Sequence, residues 1–529
     1  MQLAQVSPEE LQTFKQRCTD PIWRLHNLYK IKDKSGKIIP FRPTPEQSLI
    51  IDAIYAQKLR RIIILKARQM GFSTLIDLLL FDATYWTANT KAAIVDQTQP
   101  AAHIKLKEKA RFALQSLPPE LQEIPKTNND SELVFTNESS LIAGKNIRGG
   151  TYQLIHISEW GPIAHEDPRR SEEIKTGALP AAERGIIIVE STFKGGKGGH
   201  LYDIIKQAQE IPPDLRTPDD WHLFFFPWYR DTGYVRQGDP RSIPPDVNAY
   251  LDEKEQELGI TFTPEQRLWY SKTKADQGIH MFREYPTTIE EAFAAPVEGA
   301  IYGDLISKIR ANNQIHDFLP DPSYPVYTAW DIGWADETSV WLFQIIGRDI
   351  YFIHHIRDRQ LTAAQAWARI TATGHPIAAN ILPHDAGNTT AAAGVSYQSE
   401  LARAGATHIT ILPRTRDIWA GINAARDLIP RSYFHKTHCA AGIEALEAYH
   451  TKDTHSGTYV TRDPVHDWSS HDADSFRYAA EALRLGLIKT SEARRQTLHL
   501  NRPIPLGARA AAREHIKDEA RDMSQWARL

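Results

Sequence analysis

The stretch "RRIIILKARQMGFSTLIDLLLFDATYW", Arg60 to Trp86, limits the fold more than any other part of the chain. "RIIIL" is a short run of β-branched and apolar residues, as in a strand covered on both faces. A glycine-containing turn follows, and "TLIDLLLFDATYW" has the apolar content of a buried helix. A strand that passes straight into a helix in this way belongs to an α/β domain with a parallel sheet. Ligand chemistry in such domains collects at the C-terminal ends of the strands. The pattern continues: "KAAIVDQT" reads as a second strand, "AAHIKLKEKARFALQSL" as a second helix, and "YQLIHISEW" and "RGIIIVEST" as further short strands.

At 529 residues the chain exceeds one ordinary core, and two or three domains are expected. A Pro-rich polar stretch, "IPPDLRTPDDW", interrupts the pattern, and "TPEQRLWYSKTKA" reads as a helix. "DFLPDPSYP", ending at Pro325, reads as a linker. Beyond it stand three strands joined by short turns, "VYTAWDIG", "SVWLFQIIG" and "DIYFIHHIRD", then a helix, "TAAQAWARITATG", and a further strand, "ANILPHD". Three consecutive strands, a crossover helix and another strand is the order that opens ribonuclease H-like folds. The Trp and Tyr residues of these strands read as sheet core, and His354 and His355, on opposite strand faces, as structural.

Several function classes are set aside by composition. No stretch approaches the roughly 20 apolar residues of a membrane span. The polar start "MQLAQVSPEELQTFKQRC" is not a secretory signal. Two distant cysteines, Cys18 and Cys439, give neither a disulfide framework nor a cysteine metal site, and suggest a reducing compartment. A net charge of −3 argues against a chain that is basic throughout, although a basic groove fits within such a total.

"KARQMGFSTL" carries the parts of a phosphate-binding loop. Gly71 allows close backbone approach, Ser73 and Thr74 offer hydroxyls for Mg²⁺ at a helix start, and Lys66 and Arg68 offer cations. Phe72 occupies the usual lysine position; Lys66 or Arg68, just upstream, can fold back toward the phosphates, and the alternative is a plain glycine-containing strand-to-helix turn. "LIHISEW" ends in Ser158-Glu159. Glu159 is placed to polarise the attacking water; Ser158 stands where an aspartate usually holds the metal's water shell. In "VESTFKGGKGG", Ser191 and Thr192 end a strand where a γ-phosphate sensor is expected. In "FRPTPEQ", Gln47 is placed to read the adenine edge. Arg148, in "KNIRGGTYQ", is either an arginine finger or a turn residue.

A second group of carboxylates lies in the other half. Asp331 closes "VYTAWD", Asp385 closes "NILPHD", and Asp474 lies in the helix entry "SSHDADSFRYAAEALRL". Three such carboxylates can hold two Mg²⁺ or Mn²⁺ ions about 3.5–4 Å apart for phosphodiester hydrolysis. Their hard oxygens suit these metals better than zinc. Asp472 is either a fourth metal ligand or a surface cap. His466, Asp467 and His471 match no common zinc spacing and read as supporting or DNA-contact residues.

Taken together, "RQMGFST", "HISEW", "VESTFKGG" and "SHDADSFRY" resemble the large terminase subunit of tailed bacteriophages, over roughly Phe41 to Leu485. Ser475 replaces the alanine usual in the last motif. The resemblance implies an N-terminal segment over 1–40, a P-loop (RecA/ASCE-like) parallel-sheet ATPase domain with a lid over 41–305 and a linker over 306–324. An RNase H-like nuclease domain over 325–488 and a basic tail over 489–529 complete the layout. Between Arg484 and Leu529 there are ten Lys/Arg against five Asp/Glu. It further implies ATP with Mg²⁺ in the first domain and two Mg²⁺ or Mn²⁺ in the second. The implied partners are double-stranded DNA, the portal protein, a small terminase subunit and further copies of the chain in a ring, with no membrane. The implied location is the host cytoplasm, with transient docking on the procapsid; the mature virion is not expected to hold the chain. Some members of that family place an arginine at the position of Arg148 that reaches the ATP of a neighbouring subunit. Two rival readings are a helicase–nuclease of repair or recombination and a degenerate ATP-binding assembly protein.

Overall fold

The computed structural model describes residues 8–488, apart from 148, 195, 295–296, 298, 334–336, 389–394, 416 and 457–458. The tail expected over 489–529 lies outside the described residues. Two units emerge. The first holds the described residues up to Asp304 together with Glu444–Ser470, and the second holds Leu305–Ile443 and the described residues from His471.

The first unit is built on an eight-stranded sheet: β1 (Arg61–Lys66), β2 (Lys91–Val95), β3 (Thr127–Asn129), β4 (Glu132–Val134), β5 (Ser140–Gly144), β6 (Leu154–Ser158), β7 (Ile186–Ser191) and β8 (His222–Phe226). The order is β8-β1-β7-β6-β2-β5-β4-β3. Pairing from β8 to β5 is parallel, and only the β5-β4-β3 edge is antiparallel. The apolar run of β1 divides by parity: Ile62 and Ile64 enter one core, Ile63 and Leu65 the other. Helices therefore cover both faces, and this is why the strand shows no polar alternation. Helix α1 (Pro45–Tyr55) and helix α2 (Phe72–Trp86) pack into the first of these cores, and helix α4 (Trp160–Glu166) into the second. Helix α3 (Gln99–Lys105) runs into a π-helical segment, Leu106–Arg111, so the expected second helix is not one regular rod.

A seven-stranded sheet forms the second unit: β9 (Ile315–His316), β10 (Val326–Asp331), β11 (Glu337–Ile346), β12 (Asp349–Arg359), β13 (Ile377–Leu382), β14 (Ile409–Ile411) and β15 (Ser432–His435). Its order is β9-β15-β12-β11-β10-β13-β14. β10, β11 and β12 are antiparallel neighbours, helix α5 (Ala363–Ala372) crosses over, and β13 returns parallel to β10. This is the ribonuclease H-like order expected from the sequence. The linker expected over 306–324 carries structure of its own. Ile306 and Ile309 of the helix Gly303–Ala311 are buried, and β9 pairs with β15. Helix α6 (Ser470–Arg484) packs Phe476 against Phe352 at 4.9 Å between ring centroids. Trp330 and Trp341 are fully buried, as sheet-core residues should be. Both cysteines are free, and no described helix is long and apolar enough to cross a membrane.

Candidate active sites

Three parallel strand ends form the first site. β1 delivers Lys66, β6 delivers Ser158 and leads into Glu159, and β7 delivers Glu190 and Ser191 with Thr192 following. The register places Ser158 opposite Glu190 and Leu65 opposite Ser191, so these residues share one level of the sheet edge.

The loop between β1 and α2 turns through left-handed residues, Gln69 (φ +57°) and Gly71 (φ +75°). A Cβ on Gly71 would lie 2.9 Å from Gln47 Nε2, so position 71 requires glycine for both conformation and space. Gln47 Nε2 donates to the Gly71 carbonyl at 2.9 Å, and its Oε1 accepts from the Thr44 N–H at 3.0 Å in a capping box. The amide is thus a buried brace for the loop, in place of the adenine contact expected for it. Phe72 is also buried. Its ring lies 4.5 Å from that of Phe226, so the residue at the usual lysine position belongs to the core.

The two candidate cations have different surroundings. Lys66 is buried, with Nζ 3.1 Å from Glu190 Oε2 and 3.7 Å from Glu159 Oε1. Burial opposes its charge, but Glu190 and Glu159 outweigh it and raise the pKa. The Arg68 side chain is 60% exposed and pairs with Glu284 at 2.9 Å. Lys66→Ala is therefore expected to lower ATP turnover about 10²-fold or more, and Arg68→Ala far less. Steady-state phosphate release measures this, and a larger loss in Arg68→Ala would contradict the geometry.

Glu159 sits at φ +54°, a left-handed conformation that costs a non-glycine residue about 1–3 kcal/mol and that collects at functional sites. Its N–H donates to the Glu190 carbonyl at 2.8 Å, and its side chain remains 30% exposed and so open to water. The N–H and Oγ1 of Thr192 face Glu159 Oε2 at 3.4 and 3.5 Å. Burial raises the Glu159 pKa while Lys66 pulls it back. Ser191 Oγ accepts the Gly161 N–H at 2.9 Å and ties the end of β7 to α4. Ser73 and Thr74 are half-buried at the start of α2. Arg148 lies outside the described residues.

Four polar residues of this site, Glu190, Lys105, Asp96 and His156, were not singled out from the sequence. Glu190 is fully buried and accepts hydrogen bonds at one oxygen, Oε1, from Ser73 Oγ and from Ser158 Oγ, the latter at 2.9 Å. Lys105 bonds Ser158 Oγ and pairs with Asp96 at 2.9 Å. Burial works against the charge on Glu190, but Lys66, His156 and Lys105 hold its pKa well below the ordinary range. The available signal was a lone carboxylate inside the otherwise apolar strand "IIIVES".

In the second unit Asp331 ends β10, and its Oδ2 accepts from His471 Nδ1 at 2.7 Å. Asp474, one turn further along α6, accepts from Arg477 Nε and Nη2 at 3.1 and 3.0 Å. Burial raises the Asp331 pKa, the His471 hydrogen bond lowers it, and the nearby Asp474 raises it again. Asp385 is exposed in the turn after β13, the parallel neighbour of β10. The structure thus brings Asp331 and Asp474 into mutual electrostatic reach and sets Asp385 beyond the adjoining strand. Among the described residues, no three His, Cys, Asp or Glu side chains are gathered into a metal-binding group. The donor types fit Mg²⁺ or Mn²⁺, being carboxylate oxygens. His471 bonds Asp331, His466 bonds Ser470 and Asp467 bonds Ser469.

Asp472 requires correction from metal ligand or surface cap to buried structural residue. Its Oδ1 pairs with His355 Nε2 at 3.0 Å and its Oδ2 with Arg357 Nη1 at 2.8 Å. Ser475 bonds Ser339 at 2.8 Å, which gives the serine a buried partner. Asp472→Ala should destabilise the fold by about 3 kcal/mol, since it leaves the buried His355 ring and the partly buried Arg357 guanidinium without their carboxylate. Burial raises the Asp472 pKa, but His355 and Arg357 lower it further, for a net depression. Its contribution is therefore full at neutral pH and lost as pH falls below about 4. Thermal unfolding at pH 7 and at pH 3 tests this: the mutant's deficit should shrink at the lower pH.

Fold and sites together define a P-loop nucleotide-binding unit joined to an RNase H-like unit. Residues 328–483 match the family described as the Terminase RNaseH-like domain. The resemblance read from the sequence is borne out over this domain. Among solved structures, the large terminase of bacteriophage HK97 is 13% identical over 88% of this chain and 99% of its own, with a TM-score of 0.47. The large terminase of a thermophilic bacteriophage is 12% identical over 84% of this chain and 100% of its own, at 0.32. The P22 large terminase nuclease domain is 20% identical over 32% of this chain and 89% of its own, at 0.26. No curated protein matches the sequence.

Proposed function

We propose that the chain is the large subunit of a tailed-bacteriophage terminase, moving double-stranded DNA into a procapsid with ATP and cutting concatemeric DNA with a metal-dependent nuclease. The observation that carries the reading is one chain with Glu159 beside the buried Lys66 of a phosphate loop and, later in the sequence, a match to the Terminase RNaseH-like domain. ATP with Mg²⁺ supplies the free energy in the first unit. There Lys66 binds phosphate oxygens, Ser73 takes the metal side, Glu159 orients and deprotonates water, and Thr192 reports on the γ-phosphate. In the second unit Asp331, Asp385 and Asp474 would hold two Mg²⁺ or Mn²⁺, and the chemistry these would supply is Lewis-acid activation of a phosphodiester. The thermophilic-phage large terminase has been solved with ADP, and large-terminase nuclease domains with cobalt or manganese, the same classes of ligand as assigned here. The chain would work as a ring on the portal, fed by a small terminase subunit, in the host cytoplasm. A helicase–nuclease would need a second RecA-like domain where the RNase H-like unit stands. The test is packaging itself: portal-bearing procapsids, chain, ATP and double-stranded DNA should yield nuclease-protected DNA. ATP hydrolysis and cutting without protected DNA would favour the rival.

A further inference from the structure

Phosphate loops place a Ser or Thr hydroxyl on Mg²⁺, and an aspartate at a neighbouring strand end holds the metal's water shell. Here the strand-end position is Ser158, a residue without charge. Its in-register partner on the next parallel strand is Glu190. One oxygen of that carboxylate accepts hydrogen bonds from both Ser73 Oγ and Ser158 Oγ. The carboxylate therefore stands at the point where the loop hydroxyl and the usual aspartate meet, displaced by one strand and no levels. Glu190 Oε2 is buried, and among the described residues the cation it pairs with is Lys66 Nζ at 3.1 Å. Mg²⁺ keeps several waters and is commonly held by one or two carboxylates plus phosphates, which this donor set supplies.

We infer that Glu190 is the carboxylate that anchors the Mg²⁺ of bound ATP, in place of the aspartate that Ser158 lacks. The inference rests on the ATPase reading above. Its rival is a purely structural Glu190, buried to neutralise Lys66 and Lys105. The two differ in what the charge does for the metal, as distinct from the fold.

The experiment measures the affinity of the full chain for fluorescent ATPγS, with Mg²⁺ and with EDTA, alongside thermal unfolding. Wild-type protein should bind more tightly with Mg²⁺. Glu190→Gln keeps the volume and removes the charge, and should reduce the Mg²⁺-dependent gain by about 10–100-fold while leaving affinity in EDTA nearly unchanged. The double variant Ser158→Asp/Glu190→Ser returns the carboxylate to the usual strand and should recover the gain. A folded Glu190→Gln protein with the full Mg²⁺ gain overturns the inference. If that variant does not fold, the double variant decides: a recovered gain supports the inference and a missing one overturns it. Wild-type protein that binds no nucleotide in either condition would instead sink the ATPase reading, and this inference with it.

Discussion

Glu159→Ala is expected to reduce ATP turnover about 10³-fold while nucleotide binding survives. The reason is the division of work at the strand ends. In the proposed site phosphate contacts would come from the loop and Lys66, whose Nζ also pairs with Glu190 and so keeps a carboxylate partner without Glu159. Glu159 is the carboxylate with a partly open side chain, at a left-handed backbone position just after β6. Water activation should vanish with it, and ground-state binding should not. Glu159→Gln gives the cleaner comparison, because it keeps the contact with Thr192 and removes only basicity. Phosphate release and nucleotide titration on the same samples test the split. Near-normal turnover in either variant would remove Glu159 from the catalytic role.

Asp331→Ala and Asp474→Ala should each abolish DNA cleavage and leave ATP hydrolysis near the wild-type rate. Two divalent cations need several carboxylates for neutralisation and placement, and loss of one leaves the in-line attack without its clamp. Asp385→Ala is expected to act in the same way from the neighbouring strand end. The ATP site draws its described side chains from the first unit and should not register the change. Cleavage should require Mg²⁺ or Mn²⁺ and stop with chelator. His471→Ala, which removes the 2.7 Å partner of Asp331, should weaken cleavage less than loss of the aspartate. Normal cutting by the aspartate variants would remove the nuclease assignment.

The legible parts of this molecule were those whose meaning is local. The apolar run of β1, the glycine turn after it and the β10-β11-β12-α5-β13 series could be read because strand length, turn chemistry and helix period are properties of adjacent residues. Glu159 and the three aspartates were legible as carboxylates at strand ends or a helix start. The rest depended on pairing across the sheet. Glu190 takes its importance from its register with Ser158, 32 residues away in sequence. Gln47 was read as a ligand contact because its bond to the Gly71 carbonyl spans 24 residues. Asp472 lies two positions from Asp474, yet on a helix that spacing puts the side chains on different faces. One meets His355 and Arg357, the other Arg477. Lys66 and Arg68 could not be ranked by sequence, since both lie upstream of the glycine; burial among carboxylates separates them.

The most direct test of two separable activities in one chain is a crossed assay. ATP hydrolysis and Mn²⁺-dependent cutting of plasmid DNA would be measured on the same preparations of wild type, Glu159→Ala and Asp331→Ala. The account predicts that wild type shows both activities, Glu159→Ala only DNA cutting, and Asp331→Ala only ATP hydrolysis. Wild-type protein that lacks either activity, or single variants that lose both while remaining folded, would contradict it.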